Sequence, residues 1–146
     1  MISVAVIGGG ASGMAFAVAL KQKRPDIEVT VFEKNPKVLK KILVTGNGRC
    51  NILNFDAVAE NYFEACEFVR PAVEKYTPKK TEAIFRDMGL LLMSEQEGRA
   101  YPISQTAASV VCVLSSAAER AGVKVFTDTP VKSIKKSQGR FVINND

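Results

Sequence analysis

The chain contains no histidine. Every Ser-His or Cys-His nucleophile pair, and every His-ligated metal site within these residues, is therefore excluded. Cysteine is scarce as well. Cys50, Cys66 and Cys112 are the only three and form no CxxC pair. An odd, scattered count suits reduced thiols of a cytoplasmic protein and argues against a disulfide framework or a metal site. No run of 18 apolar residues occurs, so no transmembrane helix and no membrane partner is expected. Met1 leads directly into the apolar run Ile2–Ile7 without a basic leader or a cleavage site, so no secretory signal is expected either.

What is present is ordinary globular material: 146 residues, 47% hydrophobic, 24% charged and 8% aromatic. That length predicts one domain over 1–146, with enough chain for a single core. The net charge is +5, and Lys34, Lys37, Lys40 and Lys41 cluster without an acid among them. Such a cluster reads as a solvated face or as a phosphate neighbourhood. No nucleic-acid motif accompanies it, so no nucleic-acid partner is expected.

Along the chain, Ile2–Ile7 is a β-branched run that predicts a strand buried on both faces, as in the middle of a parallel sheet. Ala11–Lys23 is apolar almost all round and predicts a buried helix, broken by Pro25-Asp26. A second strand, Ile27–Phe32, closes on Glu33, which completes a βαβ unit. Residues 34–54 read as a long functional loop. Val58, Tyr62, Ala65, Cys66 and Val69 lie at helical spacing. Thr77-Pro78 predicts a capped helix start, and Gly89 its end. Leu90–Met93 and Arg99–Tyr101 predict a pair of short strands. A helix over 106–121 should end at Gly122. Strands over 123–127, 131–135 and 140–144 should then form a hairpin or meander at the C-terminal end. The fold class is thus α/β, with a Rossmann-like parallel sheet.

The strongest local motif is Gly8-Gly9-Gly10-Ala11-Ser12-Gly13, in which Gly8, Gly10 and Gly13 fit G-x-G-x-x-G. The glycines permit a tight turn, close backbone approach to a pyrophosphate, and close helix–strand contact. The helix start supplies N–H groups and a positive dipole end toward phosphate. Glu33 follows Gly13 by 20 residues, at the end of the second strand, where an acid accepts from ribose hydroxyls. This fingerprint does not separate FAD from NAD.

A second motif runs from Lys40 to Asn51, KKILVTGNGRCN. Its glycines, hydroxyl, guanidinium and amide suit an anionic or heteroaromatic ligand, with Arg49 as a fork donor. Cys50, beside Arg49, reads either as a packed small residue or as a thiol with a lowered pKa. A third, Gly98-Arg99-Ala100-Tyr101-Pro102, reads by itself as a turn and a short strand.

Taken in order and spacing, GGGASG, KKILVTGNGRCN and GRAYP resemble the BaiN/aminoacetone oxidase-like family of FAD-dependent flavoproteins, a branch of the two-dinucleotide-binding-domain superfamily. The resemblance covers essentially the whole chain. It implies FAD held at Gly8, Gly10, Ala11, Ser12 and Gly13, with the ribose on Glu33 and Lys34 beside it. It further implies that Thr45, Gly46, Gly48, Arg49, Cys50 and Asn51 approach the pyrophosphate and flavin, and that Val131 offers backbone hydrogen bonds to adenine. NAD(P)H is a candidate electron donor, and the small-molecule substrate is unspecified. No catalytic residue is assigned; Cys50 is the best single candidate for a group near the flavin.

Members of that family are much longer and carry a returning strand, a second glycine motif and a substrate domain. Against them the sequence reads as an N-terminal portion. The expectations are weaker FAD binding than in the intact fold, little turnover from these residues alone, and self-association through an unpaired edge of the first strand. Three functions remain open: the FAD-binding part of a flavin-dependent oxidoreductase, a non-catalytic nucleotide-binding fragment, and an NAD-dependent dehydrogenase domain. The last gives the TGNGRCN string no role.

Overall fold

Ser3–Ile7 forms strand β1 and Ala11–Lys23 forms helix α1; Glu28–Phe32 follows as β2 in a computed structural model that describes residues 2–144. Onward in chain order come β3 (Leu53–Asn54), α2 (Cys66–Lys75), α3 (Pro78–Asp87), β4 (Leu92–Ser94), β5 (Arg99–Pro102) and α4 (Ala107–Ala121). The last strands are β6 (Lys124–Phe126), β7 (Ile134–Ser137) and β8 (Arg140–Ile143). The chain divides into two compact units, Met1–Lys41 with Ser115–Asp146, and Ile42–Leu114.

The first unit carries a parallel sheet of order β1-β2-β6. Ser3 pairs with Glu28 and Ile7 with Phe32, while Thr30 pairs with Lys124 and Phe32 with Phe126. That order is the 3-2-1 half of a doubly wound fold, with the glycine turn at the carboxyl end of β1, where such folds bind nucleotides. β2 is central: Val29 and Val31 are fully buried, against Met14, Ala17 and Val18 of α1 in the same core. Each of these valines, and Met14, contributes about 1.5–3 kcal/mol by leaving water, and Ala17 less.

β1 departs from its expected double burial. It stands at the sheet edge with only Val6 buried, and Ile7 remains 48% exposed. The helix α1 keeps its expected limits, but Phe16 is 52% exposed, so the helix buries one face rather than its whole circumference. β6 joins the parallel sheet instead of a meander, and the antiparallel pairing is confined to the β7–β8 hairpin. Val131 falls outside both strands of that pair, three residues before β7 begins.

The second unit is built on an antiparallel sheet of order β3-β5-β4. The expected partnership of β4 with β5 is present, Met93 opposite Tyr101, and Leu53 adds a short third strand opposite Ala100. Met88, Leu90, Ala100, Tyr101, Val110 and Leu114 are among its buried residues. Thr77 caps α3 by accepting from the Lys80 N–H at 3.4 Å, with Pro78 in the first turn. The helix read across Val58–Val69 is interrupted. Phe63 takes a left-handed φ of 48°, so a 3-10 segment over Ala59–Ala65 precedes α2, and α2 buries none of its residues. Residues 40–48 are also more regular than a loop, winding into 3-10 turns.

Candidate functional site

The residues singled out by sequence fall into two sets, one in each unit. In the first unit, Gly8 ends β1 with φ +100° and donates its N–H to Phe32 O at 2.8 Å, extending the β1–β2 ladder by one bond. The left-handed φ is what the turn demands of this position, and glycine meets it without strain. Gly9 is buried; its N–H donates to Glu33 Oε2 at 2.7 Å, and its carbonyl accepts from Leu39 N–H at 2.7 Å. Gly10 is the N-cap of α1 and has no side-chain cap, and the first turn holds no acid. A β-carbon placed on Gly8 or on Gly10 would meet nothing within 4 Å. Ala11 and Ser12 are exposed beside them. The positive end of α1, with its uncapped N–H donors, therefore faces open space.

Gly13 has the opposite environment. A β-carbon there would lie 2.1 Å from Gly8 O and 3.3 Å from Val6 Cγ1. Helix and strand approach so closely that only hydrogen fits. The three glycines of the fingerprint thus separate into two that keep space open and one that lets α1 touch the turn.

Glu33 is only 7% exposed, and both of its carboxylate oxygens accept hydrogen bonds. Its Oε1 accepts from Asn35 N–H at 2.8 Å and from Asn35 Nδ2 at 2.6 Å, while Oε2 takes the Gly9 N–H. The Asn35 backbone bond holds the carboxyl below its ordinary range; desolvation opposes this, and Gly9, the Asn35 side chain and Lys34 reinforce it. Glu33 is accordingly an anion at neutral pH. Lys34, Lys37, Lys40 and Lys41 are all exposed. Thr129 N–H donates to Glu33 O at 2.8 Å and Asp128 N–H to Asn35 O at 3.1 Å, which lays the segment leading to Val131 alongside residues 33–35.

In the second unit, the residues of TGNGRCN form a tight coil. Gly46, Asn47, Gly48 and Cys50 all have left-handed φ, between 52° and 80°. Thr45 Oγ1 donates to Ile42 O at 2.7 Å, Cys50 N–H to Thr45 O at 3.0 Å and Arg49 N–H to Gly46 O at 3.0 Å. Asn51 is exposed and Cys50 is buried, whereas reactive thiols are found partly exposed. Arg49 packs its guanidinium 4.1 Å over the Tyr101 ring. Its Nη1 donates to both Glu95 oxygens, at 2.9 and 3.1 Å, and to Gln105 Oε1 at 2.9 Å. Gln105 Nε2 closes the cluster on Glu95 Oε1 at 3.1 Å. Arg49 is thus an internal clasp of this unit, tying the TGNGRCN coil to β5 and to the segment before α4. Arg49→Ala is expected to lower the stability of the chain by about 1–2 kcal/mol, since the ion pair is partly solvated and the stacking adds to it. A thermal melt indistinguishable from wild type would show the clasp to be idle.

Sequence reasoning missed Asn35, Glu95 and Gln105. Asn35 carried a usable signal, because an Asn two residues beyond an acid is placed to bond it locally. The other two lie 46 and 56 residues from Arg49, and no local pattern marks them.

The HI0933-like protein Rossmann domain family matches residues 2–146. A 3-dehydro-bile acid delta(4,6)-reductase of Clostridium scindens is 38% identical over 147 residues, which is 100% of this chain and 36% of that protein. A ribosomal RNA dihydrouridine synthase of Haemophilus influenzae is 27% identical, over 94% of this chain and 35% of its own length. The chain spans about a third of the length of these relatives. Among solved structures, Thermovibrio ammonificans THI4 superposes with a TM-score of 0.62 at 16% identity, over 97% of this chain and 45% of that one. CtdE in complex with FAD and a substrate gives a TM-score of 0.50 at 16% identity, over 98% of this chain and 36% of the other. At such identity the likeness to the solved structures is one of fold.

Proposed function

The chain belongs to the HI0933-like Rossmann domain family, the kinship its three sequence strings suggested, and on that premise we propose that it is the FAD-binding part of a flavin-dependent oxidoreductase. The carrying observation is the start of α1: uncapped N–H groups, no nearby acid in the first turn, and free space over Gly8 and Gly10. A pyrophosphate fits that donor set. The N–H groups of Ala11, Ser12 and Gly13 would hold its oxygens, aided by the helix dipole and screened from few competing charges.

Glu33 would accept from the adenosine ribose, and its depressed pKa keeps it an acceptor at neutral pH. Lys34 and its neighbouring lysines add positive potential around the phosphates. FAD, when bound, supplies the redox chemistry, and the chain's own residues bind, orient and shield it. The proposal rests on the first unit alone.

A second reading is a nucleotide-binding module without turnover. It is favoured by the burial of Cys50, the best candidate for a group near the flavin, since reactive thiols are found partly exposed. The two readings part on reduction of an electron acceptor by the FAD-loaded chain with NAD(P)H as donor. Both require that FAD bind saturably, one per chain, in a calorimetric titration. Binding of NAD with no binding of FAD would instead favour a dehydrogenase domain and overturn both.

A further inference from the structure

The hydrogen bonds around Glu33 leave too little room for the ligand that the glycine turn invites. A carboxylate offers about four lone-pair positions. Asn35 N–H and Asn35 Nδ2 fill both on Oε1, and Gly9 N–H fills one on Oε2. One acceptor position remains. A ribose, however, presents two adjacent hydroxyls, and each seeks an acceptor.

For both to bind Glu33, one of the three present donors must leave. Gly9 cannot leave: its carbonyl is tied to Leu39 N–H at 2.7 Å, and Val38 packs against its Cα so closely that a β-carbon there would lie 2.5 Å from Val38 Cγ1. The Asn35 N–H is held by the turn, since the neighbouring Asn35 carbonyl accepts from Asp128 N–H at 3.1 Å. The Asn35 side-chain amide differs from these two. It hangs on rotatable bonds, belongs to a half-buried residue, and can exchange Glu33 for water without moving backbone.

Building on the nucleotide reading of this site, we propose that the Asn35 amide is a place-holder for a ribose hydroxyl on Glu33 Oε1, displaced when the nucleotide binds, and that Asn35 thereby sets nucleotide affinity. The device has a physical rationale. A nearly buried carboxylate left short of donors is costly, so the empty site gains from a tethered stand-in. The same stand-in competes with the ligand. A loose water filling the position is easier to displace than an amide fixed to the chain.

The test uses ADP, which carries the adenosine ribose and pyrophosphate of FAD, and 2′-deoxy-ADP, which lacks one of the two hydroxyls. Both are titrated calorimetrically into the wild-type chain and into Asn35→Ala, with circular dichroism verifying that both chains are folded. Asn35→Ala keeps the backbone N–H bond to Oε1 and removes only the amide. ADP should bind the variant about three- to tenfold more tightly, the worth of one hydrogen bond to a charged group less the water that replaces it. 2′-Deoxy-ADP should bind both chains alike, because its single hydroxyl already finds the open position on Oε2.

Equal or weaker ADP binding by Asn35→Ala overturns the proposal. So does an equal gain with both ligands, which would mean a general loosening of the site. If the wild-type chain binds neither ADP nor FAD while folded, the nucleotide reading itself fails and this inference with it.

Discussion

Gly13→Ala is expected to destabilise the chain by about 3 kcal/mol or more and to abolish FAD binding. The added β-carbon would sit 2.1 Å from Gly8 O, 3.3 Å from Gly8 C and 3.3 Å from Val6 Cγ1. The first of these contacts is with backbone, so no side-chain rotation relieves it. Gly8 is itself anchored by its N–H bond to Phe32 O, and its carbonyl cannot swing aside without breaking the end of the β1–β2 ladder. The strain must be released by moving α1 off the sheet. That motion carries the uncapped N–H groups away from the turn and exposes Met14, Ala17 and Val18.

Gly10→Ala is the matched control. Its φ of −76° is ordinary and its β-carbon meets nothing within 4 Å, so the melt should barely move. FAD binding should still weaken, because the methyl occupies the space that the proposal reserves for the cofactor. Thermal denaturation and FAD titration of the two variants read this contrast directly. A Gly13→Ala chain melting like wild type would contradict the close crossing of helix and turn.

Glu33→Ala is the second large effect. The substitution leaves the Gly9 and Asn35 N–H groups without their acceptor, beside a side chain that was 7% exposed. Unsatisfied donors of this kind cost about 1–3 kcal/mol each, so a loss of roughly 2–6 kcal/mol is expected, together with loss of nucleotide binding. The pH dependence has a definite sign. Bonds to Asn35 first, and then to Gly9, hold the folded-state pKa of Glu33 below its unfolded value.

The carboxylate's contribution is therefore complete above the unfolded pKa and is lost as pH falls through the folded one. Below about pH 4 the wild-type chain should lose stability faster than Glu33→Gln, whose amide does not titrate. Parallel acid-denaturation curves for the two chains would contradict this account of Glu33.

Those two residues also mark what could be read from the sequence. The helix Ala11–Lys23, the acid ending β2, and the cap at Thr77 were legible because glycine, proline and capping side chains act within a few residues of themselves. Burial of β1 was misjudged for the converse reason. Its apolar run states what the strand can bury, whereas its place at the edge of β1-β2-β6 depends on which distant strands pair with it.

Phe63 stops the helix read across residues 58–69 with a backbone conformation that no periodicity signals. β6 joins β2 in parallel although its sequence suits a meander equally well. Val131 lies outside the strand assigned to it, since β7 starts only at Ile134. In the candidate site the glycines and Glu33 were visible. The clasp that holds Arg49 was hidden, because its partners at residues 95, 101 and 105 meet Arg49 only through the fold.

The central claim is that the start of α1, with Gly8, Gly10 and Glu33, is a site for FAD. The most direct test is titration of FAD into the folded chain of 146 residues, followed by calorimetry and by the change in flavin fluorescence. The account predicts saturable binding of one FAD per chain, weakened by Gly10→Ala while the melt of that variant stays near wild type. A folded chain that leaves flavin fluorescence unchanged and evolves no heat, at FAD concentrations up to the millimolar range, would contradict it.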